Sequence, residues 1–309
     1  MKKLTSLVLV IFALMLAVTA CGTKSTPTTV APKPTEAQKP AEPTKEPEVV
    51  APVEIVVVSR EEGSGTRGAF VELTGVEGKD ADGNTVDSTY EEAIIQNGTN
   101  GVMMTVANEA KAIGYISLGS LNETVKALQI DGVEATAENV KNGSYKIARP
   151  FNVAYKAGLD EASQDLLDFI MSEEGQKIVE ERGYISADAG APFAGGKVTG
   201  SVVVAGSTSV TPVMEKLVEA YNAINPDVTI EIQSTGSSAG MQSTMQGVSH
   251  LGMASRELKD EEKAEMEFKV IAIDGIAVIV HKSSTVKSLT MEQVKQIFVG
   301  ELRDWNLVK

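Results

Sequence analysis

One local design recurs in this 309-residue chain and limits the folds open to it. A short β-branched run ends in a turn of Gly, Ser and Thr, and a helix-forming stretch begins directly after. It occurs at residues 54–59 before Glu62-Gly-Ser-Gly-Thr66, at residues 201–205 before Gly206-Ser-Thr-Ser209, and at residues 228–232 before Thr235-Gly-Ser-Ser-Ala-Gly240. Alternating strand and helix predicts an α/β architecture. Each turn also leaves N–H groups and hydroxyls at a helix N-terminus, where the partial positive charge favours an anion. A single turn of this kind is ordinarily just a cap. Three in one chain, with Arg60 ahead of one of them, point to an oxyanion site, because a guanidinium offers a planar fork of donors.

The intervening segments complete the outline. Further strands are predicted at 112–117, 148–155 and 270–280, the last interrupted by Asp274 and Gly275. Residues 160–182 predict one long helix: Asp160 caps it, Leu166, Phe169, Ile170 and Ile178 share a face, and Gly183 ends it. Pro212 opens a helix striped by Met214, Leu217, Val218 and Tyr221. Residues 289–298 are helical by spacing. Residues 187–201, rich in Ala, Gly, Pro and Ser, predict a linker, after which the strand–turn–helix pattern restarts.

The N-terminus bears on compartment. Lys2 and Lys3 precede an apolar run over residues 7–18, so residues 1–20 read as a secretory signal, too short for a stable membrane span. Val18-Thr19-Ala20-Cys21 resembles a bacterial lipobox, which implies lipidation of Cys21 and a membrane anchor on the extracytoplasmic face. Cys21 is the sole cysteine, so no disulfide forms within the chain. Residues 21–52 are mostly Thr, Pro, Lys, Glu and Ala and predict a disordered tether. A net charge of −14 argues against nucleic acid as a partner. It leaves a small anion open, since local N–H groups and one or two cations suffice to hold one.

Four segments carry a resemblance. Ser59-Arg-Glu-Glu-Gly-Ser-Gly-Thr-Arg67, Gly206-Ser-Thr-Ser-Val-Thr-Pro212, Gly236-Ser-Ser-Ala-Gly240 and Leu251-Gly-Met-Ala-Ser-Arg-Glu-Leu258 are similar to the phosphate-binding protein of bacterial high-affinity phosphate ABC importers. The resemblance implies a two-lobed, type II periplasmic-binding-protein-like fold with two crossover strands as hinge. It implies one lobe from residues 53–149 with 281–309 and another from 150–280. It further implies inorganic phosphate as ligand, a membrane permease as partner, no catalytic role and no cofactor. Residue by residue, it places Arg60, Ser64, Gly65 and Thr66 on phosphate from one lobe, and Thr208, Ser209 and Ser237 from the other. Ser255 is a further donor, and Glu62 stands where the family keeps an acid that holds the arginine.

Two departures from the family follow. The halves stand in reversed order, which reads either as a circular permutation joined through residues 187–201 or as a piece of a tandem chain. Second, many relatives place an aspartate after the Ala-Ser of the fourth segment, where it accepts the phosphate's proton and rejects sulfate; Arg256 stands there in this chain. Arg256 would add charge, and Asp274 or Glu257 would have to supply the acceptor. Sulfate and molybdate therefore stay open as ligands, as does a surface phosphate sensor without a transport role.

Rival chemistries are weaker. Gly236-Ser-Ser-Ala-Gly240 also fits the Gly-x-Ser-x-Gly nucleophile elbow with Ser238, but His250 and His281, the two histidines, stand in the wrong places for the hydrolase order. No His, Cys and Asp grouping has metal-ligand spacing. Met103, Met104, Met241, Met245 and Met253 read as core fillers, and residues 260–265 as a solvated acidic face.

Overall fold

The computed structural model describes residues 51–188 and 190–308. The signal segment, Cys21 and most of the tether lie outside these residues. Among the described residues no helix is long and apolar enough to cross a membrane.

The β-branched runs form the strands they predict. In chain order the principal elements are β1 (Val56–Arg60), α1 (Gly65–Thr74), β2 (Ile94–Gln96), α2 (Gly98–Asn108), β3 (Ala112–Ser117) and β4 (Ala148–Tyr155). Then come α3 (Glu161–Met171), α4 (Glu173–Glu181), β5 (Gly200–Gly206), α5 (Thr211–Ile224), β6 (Val228–Gln233), α6 (Ser237–Met245) and β7 (Leu251–Ala254). The last are α7 (Asp260–Glu265), β8 (Glu267–His281) and α8 (Met291–Phe298).

The strands join in the order β6-β5-β7-β4-β8-β3-β1-β2. This path contains the same unit twice. In one, β5 lies between β6 and β7, parallel to both, and β4 runs antiparallel beside β7. In the other, β1 lies between β2 and β3, parallel to both, and β8 runs antiparallel beside β3. Each unit thus has the strand order second-first-third plus one antiparallel strand, and β4 and β8 pair with each other where the units meet.

The apolar side chains follow the same division. One core holds Phe151, Leu166, Phe169, Val204, Leu217 and Met253. A second holds Val57, Phe70, Tyr115, Ile147, Val278 and Phe298. Strand β8 serves both: Ile271 and Ala272 belong to the first, Ile276, Val278 and Val280 to the second. The change of side falls between Ala272 and Ile273, just before Asp274-Gly275.

The ends of the folded region meet. Ile55 N–H donates to the Arg303 carbonyl at 2.9 Å and Trp305 N–H to the Val53 carbonyl at 2.9 Å. The Val53 N–H adds a bond to Asp304 Oδ1 at 2.8 Å.

Three expectations are corrected. The long helix over 160–182 is two, broken at Ser172. That residue is extended (φ −72°, ψ 169°), and its hydroxyl accepts from the Gly175 N–H. A serine that bonds its own backbone competes with the helix ladder, and Gly175 packs so close that a Cβ there would sit 2.2 Å from the Phe169 carbonyl. The acidic face of α7 is not wholly solvated, because Glu262 is buried. Among the methionines, Met241 and Met253 are core but Met104 is 65% exposed. The stripe on α5 is buried as its spacing predicts.

Candidate functional site

Strands β1, β2, β5 and β6 each end in a turn that opens a helix, so the N-termini of α1, α2, α5 and α6 gather at the carboxyl ends of parallel strands. That edge is where open α/β sheets place their ligands.

Arg60 closes β1 and is 1% exposed. Its Nε and Nη2 donate to Glu61 Oε2 at 2.7 Å and Oε1 at 2.8 Å. Nη2 also donates to Thr208 Oγ1, in the other unit, at 2.9 Å. Nη1 is buried and has no hydrogen-bond partner among the described residues. The acid that holds the arginine is therefore Glu61, not Glu62, which is exposed to solvent. Burial raises the Glu61 pKa, but the Arg60 guanidinium and the Gly98 N–H outweigh it and leave the carboxyl below its ordinary range.

A chain of hydroxyls, most of them buried, runs on from Thr208, the hydroxyl this cation touches, through Thr99 at 3.4 Å. Ser64 caps α1 by accepting from the Arg67 N–H. Thr66 Oγ1 shares hydrogen bonds with Ser209 Oγ at 2.8 Å and Ser255 Oγ at 3.2 Å. Thr99, at the start of α2, reaches Ser209 Oγ at 3.1 Å. Ser207 Oγ donates to Ser255 Oγ at 2.9 Å, and the Ser255 N–H donates to Ser237 Oγ at 3.2 Å. Gly65 shows how tightly the units meet: a Cβ there would stand 2.3 Å from Ser237 Oγ and 2.9 Å from Ser255 Oγ. The Ser238 N–H to Gly63 carbonyl bond, 3.1 Å, crosses the same seam.

Two expected members stand apart. Arg256 makes a two-pronged pair with Glu262, 2.7 Å on each side, and its charge is spent there. Asp274 Oδ2 faces Arg149 Nη1 at 2.5 Å and accepts from Ser117 Oγ at 2.7 Å; Oδ1 accepts from the Gly119 N–H at 3.3 Å. Burial pushes this carboxyl up, opposed by the Arg149 charge; facing a guanidinium at that distance it is a carboxylate. With its oxygens so engaged, Asp274 is not placed to take a proton from a ligand among the hydroxyls.

Glu61, Thr99, Arg149 and Ser207 join the site without having been expected there. Ser207 and Glu61 adjoin expected residues. Thr99 follows Asn97-Gly98 in a fourth copy of the strand–turn–helix design, whose short strand hides the pattern. Arg149 has no local sign at all. Ser238, the would-be nucleophile, has no histidine partner: His250 Nδ1 accepts from the Val203 N–H and His281 Nδ1 bonds Ser283. Among the described residues no cluster of His, Cys, Asp and Glu could hold a metal ion.

Two α/β units of like topology, crossed by two strands and lined at their seam by helix N-termini, define a type II solute-binding architecture. The chain belongs to the PBP superfamily, whose domain model matches residues 48–174 and 191–308. Within it, the chain is 50% identical to phosphate-binding protein PstS 2 of Streptococcus agalactiae over 254 residues, 82% of this chain and 87% of that one. It is 45% identical to phosphate-binding protein PstS 2 of Streptococcus pneumoniae over 256 residues, 82% and 88% of the two chains. A crystal structure of a phosphate-binding protein of a phosphate ABC transporter from Streptococcus pneumoniae superposes with a TM-score of 0.68. That match is 44% identical and covers 83% of this chain and all of that one.

Proposed function

We propose that the protein binds inorganic phosphate between its two units and delivers it to the membrane permease of an ABC importer. The observation that carries this reading is the buried Arg60 guanidinium, with Nη1 unpartnered and hydroxyls from four helix N-termini around it. A buried cation needs a counter-charge with good hydrogen-bond geometry. Glu61 neutralises one side of Arg60, and a tetrahedral oxyanion fits the other. The donors to it are Arg60, Ser64, the Gly65 N–H, Thr66, Thr208, Ser209, Ser237 and Ser255, with Glu61 as the support for the arginine. The names of the streptococcal relatives agree with phosphate and with an ABC transporter.

The two lobes are residues 53–149 with 281–309, and residues 150–280, with strand β8 crossing between them and contributing Ile271 and Ala272 to one core and Ile276, Val278 and Val280 to the other. The pairing of residues 53–55 with 303–305 supports a circular permutation, since that contact is where the usual order runs on. The protein acts outside the cytoplasm, held to the membrane by lipid on Cys21, and has no catalytic task. Titration calorimetry of the purified protein with phosphate, sulfate and molybdate tests the reading. Phosphate is expected to bind tightest, and absence of phosphate binding would reject it.

A further inference from the structure

Arg149 lies in β4 opposite Asp274, at the point where β8 passes from one core to the other. It is 4% exposed, and all three of its side-chain nitrogens are engaged. Nη1 donates to Asp274 Oδ2 at 2.5 Å and to the Gly275 carbonyl at 2.9 Å. Nε donates to the Ser255 carbonyl at 3.3 Å, and Nη2 to Thr66 Oγ1 at 3.2 Å. The Phe151 ring lies 5.0 Å from the guanidinium carbon. One side chain thus touches the crossover strand, a ligand-site residue of each lobe, and the counter-ion that holds it in place.

The direction of these bonds matters. A guanidinium only donates, so the bond from Arg149 occupies an acceptor position on Thr66 Oγ1 and leaves the hydroxyl proton to point elsewhere. Arg60 does the same to Thr208 from the opposite side. Two donor-only cations therefore feed a hydroxyl cluster whose own hydrogen-bond partners include no carboxylate. Protons are ordered away from both guanidinium groups, and the unprotonated oxygens of an oxyanion such as phosphate are the acceptors that complete such a network. An arginine needed only to neutralise Asp274 would not have to span from Asp274 to Thr66 and Ser255.

We propose that Arg149, anchored by Asp274, is a positioning residue for oxyanion capture: it sets the Thr66 hydroxyl as a donor to the ligand and ties Thr66 to Ser255 across the lobe seam. This inference rests on the phosphate reading of the site. Arg149 itself acts through Thr66 and has no direct contact with phosphate assigned to it.

A double-mutant cycle on the purified full chain tests it, with phosphate affinity by calorimetry and thermal melting on each protein. Lysine keeps a charge opposite Asp274 but lacks the fork that also spans to Thr66. Arg149→Lys is expected to weaken phosphate binding about tenfold or more, and so is Thr66→Val. The two together should bind no more weakly than Thr66→Val alone, because both break the same bond. Losses that multiply, or an unchanged affinity in Arg149→Lys, would overturn the proposal. If Arg149→Lys does not fold, Arg149→Met with Asp274→Leu leaves no unpaired buried charge and enters the same cycle with the same two outcomes. Wild-type protein that binds no phosphate would remove the functional reading and this inference together. Wild-type binding with multiplying losses would remove the inference alone.

Discussion

Replacement of Arg60 by alanine removes the cation that the phosphate reading places against the ligand, and its effect can be sized from the geometry. Nη1 has two N–H groups to offer and no partner among the described residues. A hydrogen bond to a charged group contributes about 1.5–3 kcal/mol, so two lost bonds to phosphate amount to about 3–6 kcal/mol. That corresponds to roughly a 10²- to 10⁴-fold rise in Kd. A second effect works in the same direction. Glu61 loses the guanidinium that neutralises it and stands as a bare carboxylate beside the incoming anion. Arg60→Ala with Glu61→Gln should therefore bind phosphate better than Arg60→Ala alone. Calorimetric titration of the three proteins, each checked for an intact cooperative melt, measures both statements. A well-folded Arg60→Ala protein whose phosphate Kd moves less than about threefold, well below one lost charged bond, would refute the assignment of Arg60 as the ligand cation.

Gly65→Ala should weaken binding while destabilising the fold modestly, about 1–3 kcal/mol for an overpacked contact, since its Cβ would press on Ser237 and Ser255 at the seam; titration and melting separate the two effects. Glu61→Gln should weaken phosphate binding and Glu62→Gln should not, and equal losses would return the supporting role to Glu62. The depressed Glu61 pKa has a stability consequence with a definite sign: its contribution is present above the ordinary value of 4.5 and is lost as pH falls through the lower folded value. Denaturation midpoints measured across that acid range should fall less steeply in Glu61→Gln than in wild type. Asp274→Asn leaves Arg149 buried without its counter-ion and should cost about 3–5 kcal/mol of stability by chemical denaturation. Its phosphate and sulfate affinities should move together, because its oxygens face Arg149, Ser117 and Gly119 rather than the ligand.

Much of this molecule is legible from local chemistry. The strands at 56–60, 200–206 and 228–233 follow from β-branched runs; the helices after them start at the Ser64 cap, at Pro212 in the first turn, and after Gly236. The hydroxyls of Ser64, Thr66, Thr208, Ser209 and Ser237, which the phosphate reading assigns to the site, sit in those same turns and helix starts. Arg60 closes β1 directly ahead of the first of these turns. The differences between local pattern and structure lie one residue away or one fold away. Glu61 and Glu62 are adjacent acids, and spacing alone cannot tell which side chain turns back to the guanidinium. The Ser172 break depends on how closely Gly175 approaches the preceding helix end.

The partners of buried charges were decided only in three dimensions. Arg256 follows an Ala-Ser pair where an acid was expected, yet its guanidinium turns to Glu262. Asp274 and Arg149 are 125 residues apart in sequence and meet at 2.5 Å in the core. The meeting exists because β4 and β8 pair in an antiparallel register that sets them side by side. Local sequence determined the strands, the helix starts and the anion-seeking turns, since those depend on torsional preference and on neighbours a few residues apart. Tertiary structure determined which charge answers which, because a desolvated charge takes its partner from whatever the packed chain brings within hydrogen-bond reach, however distant in sequence.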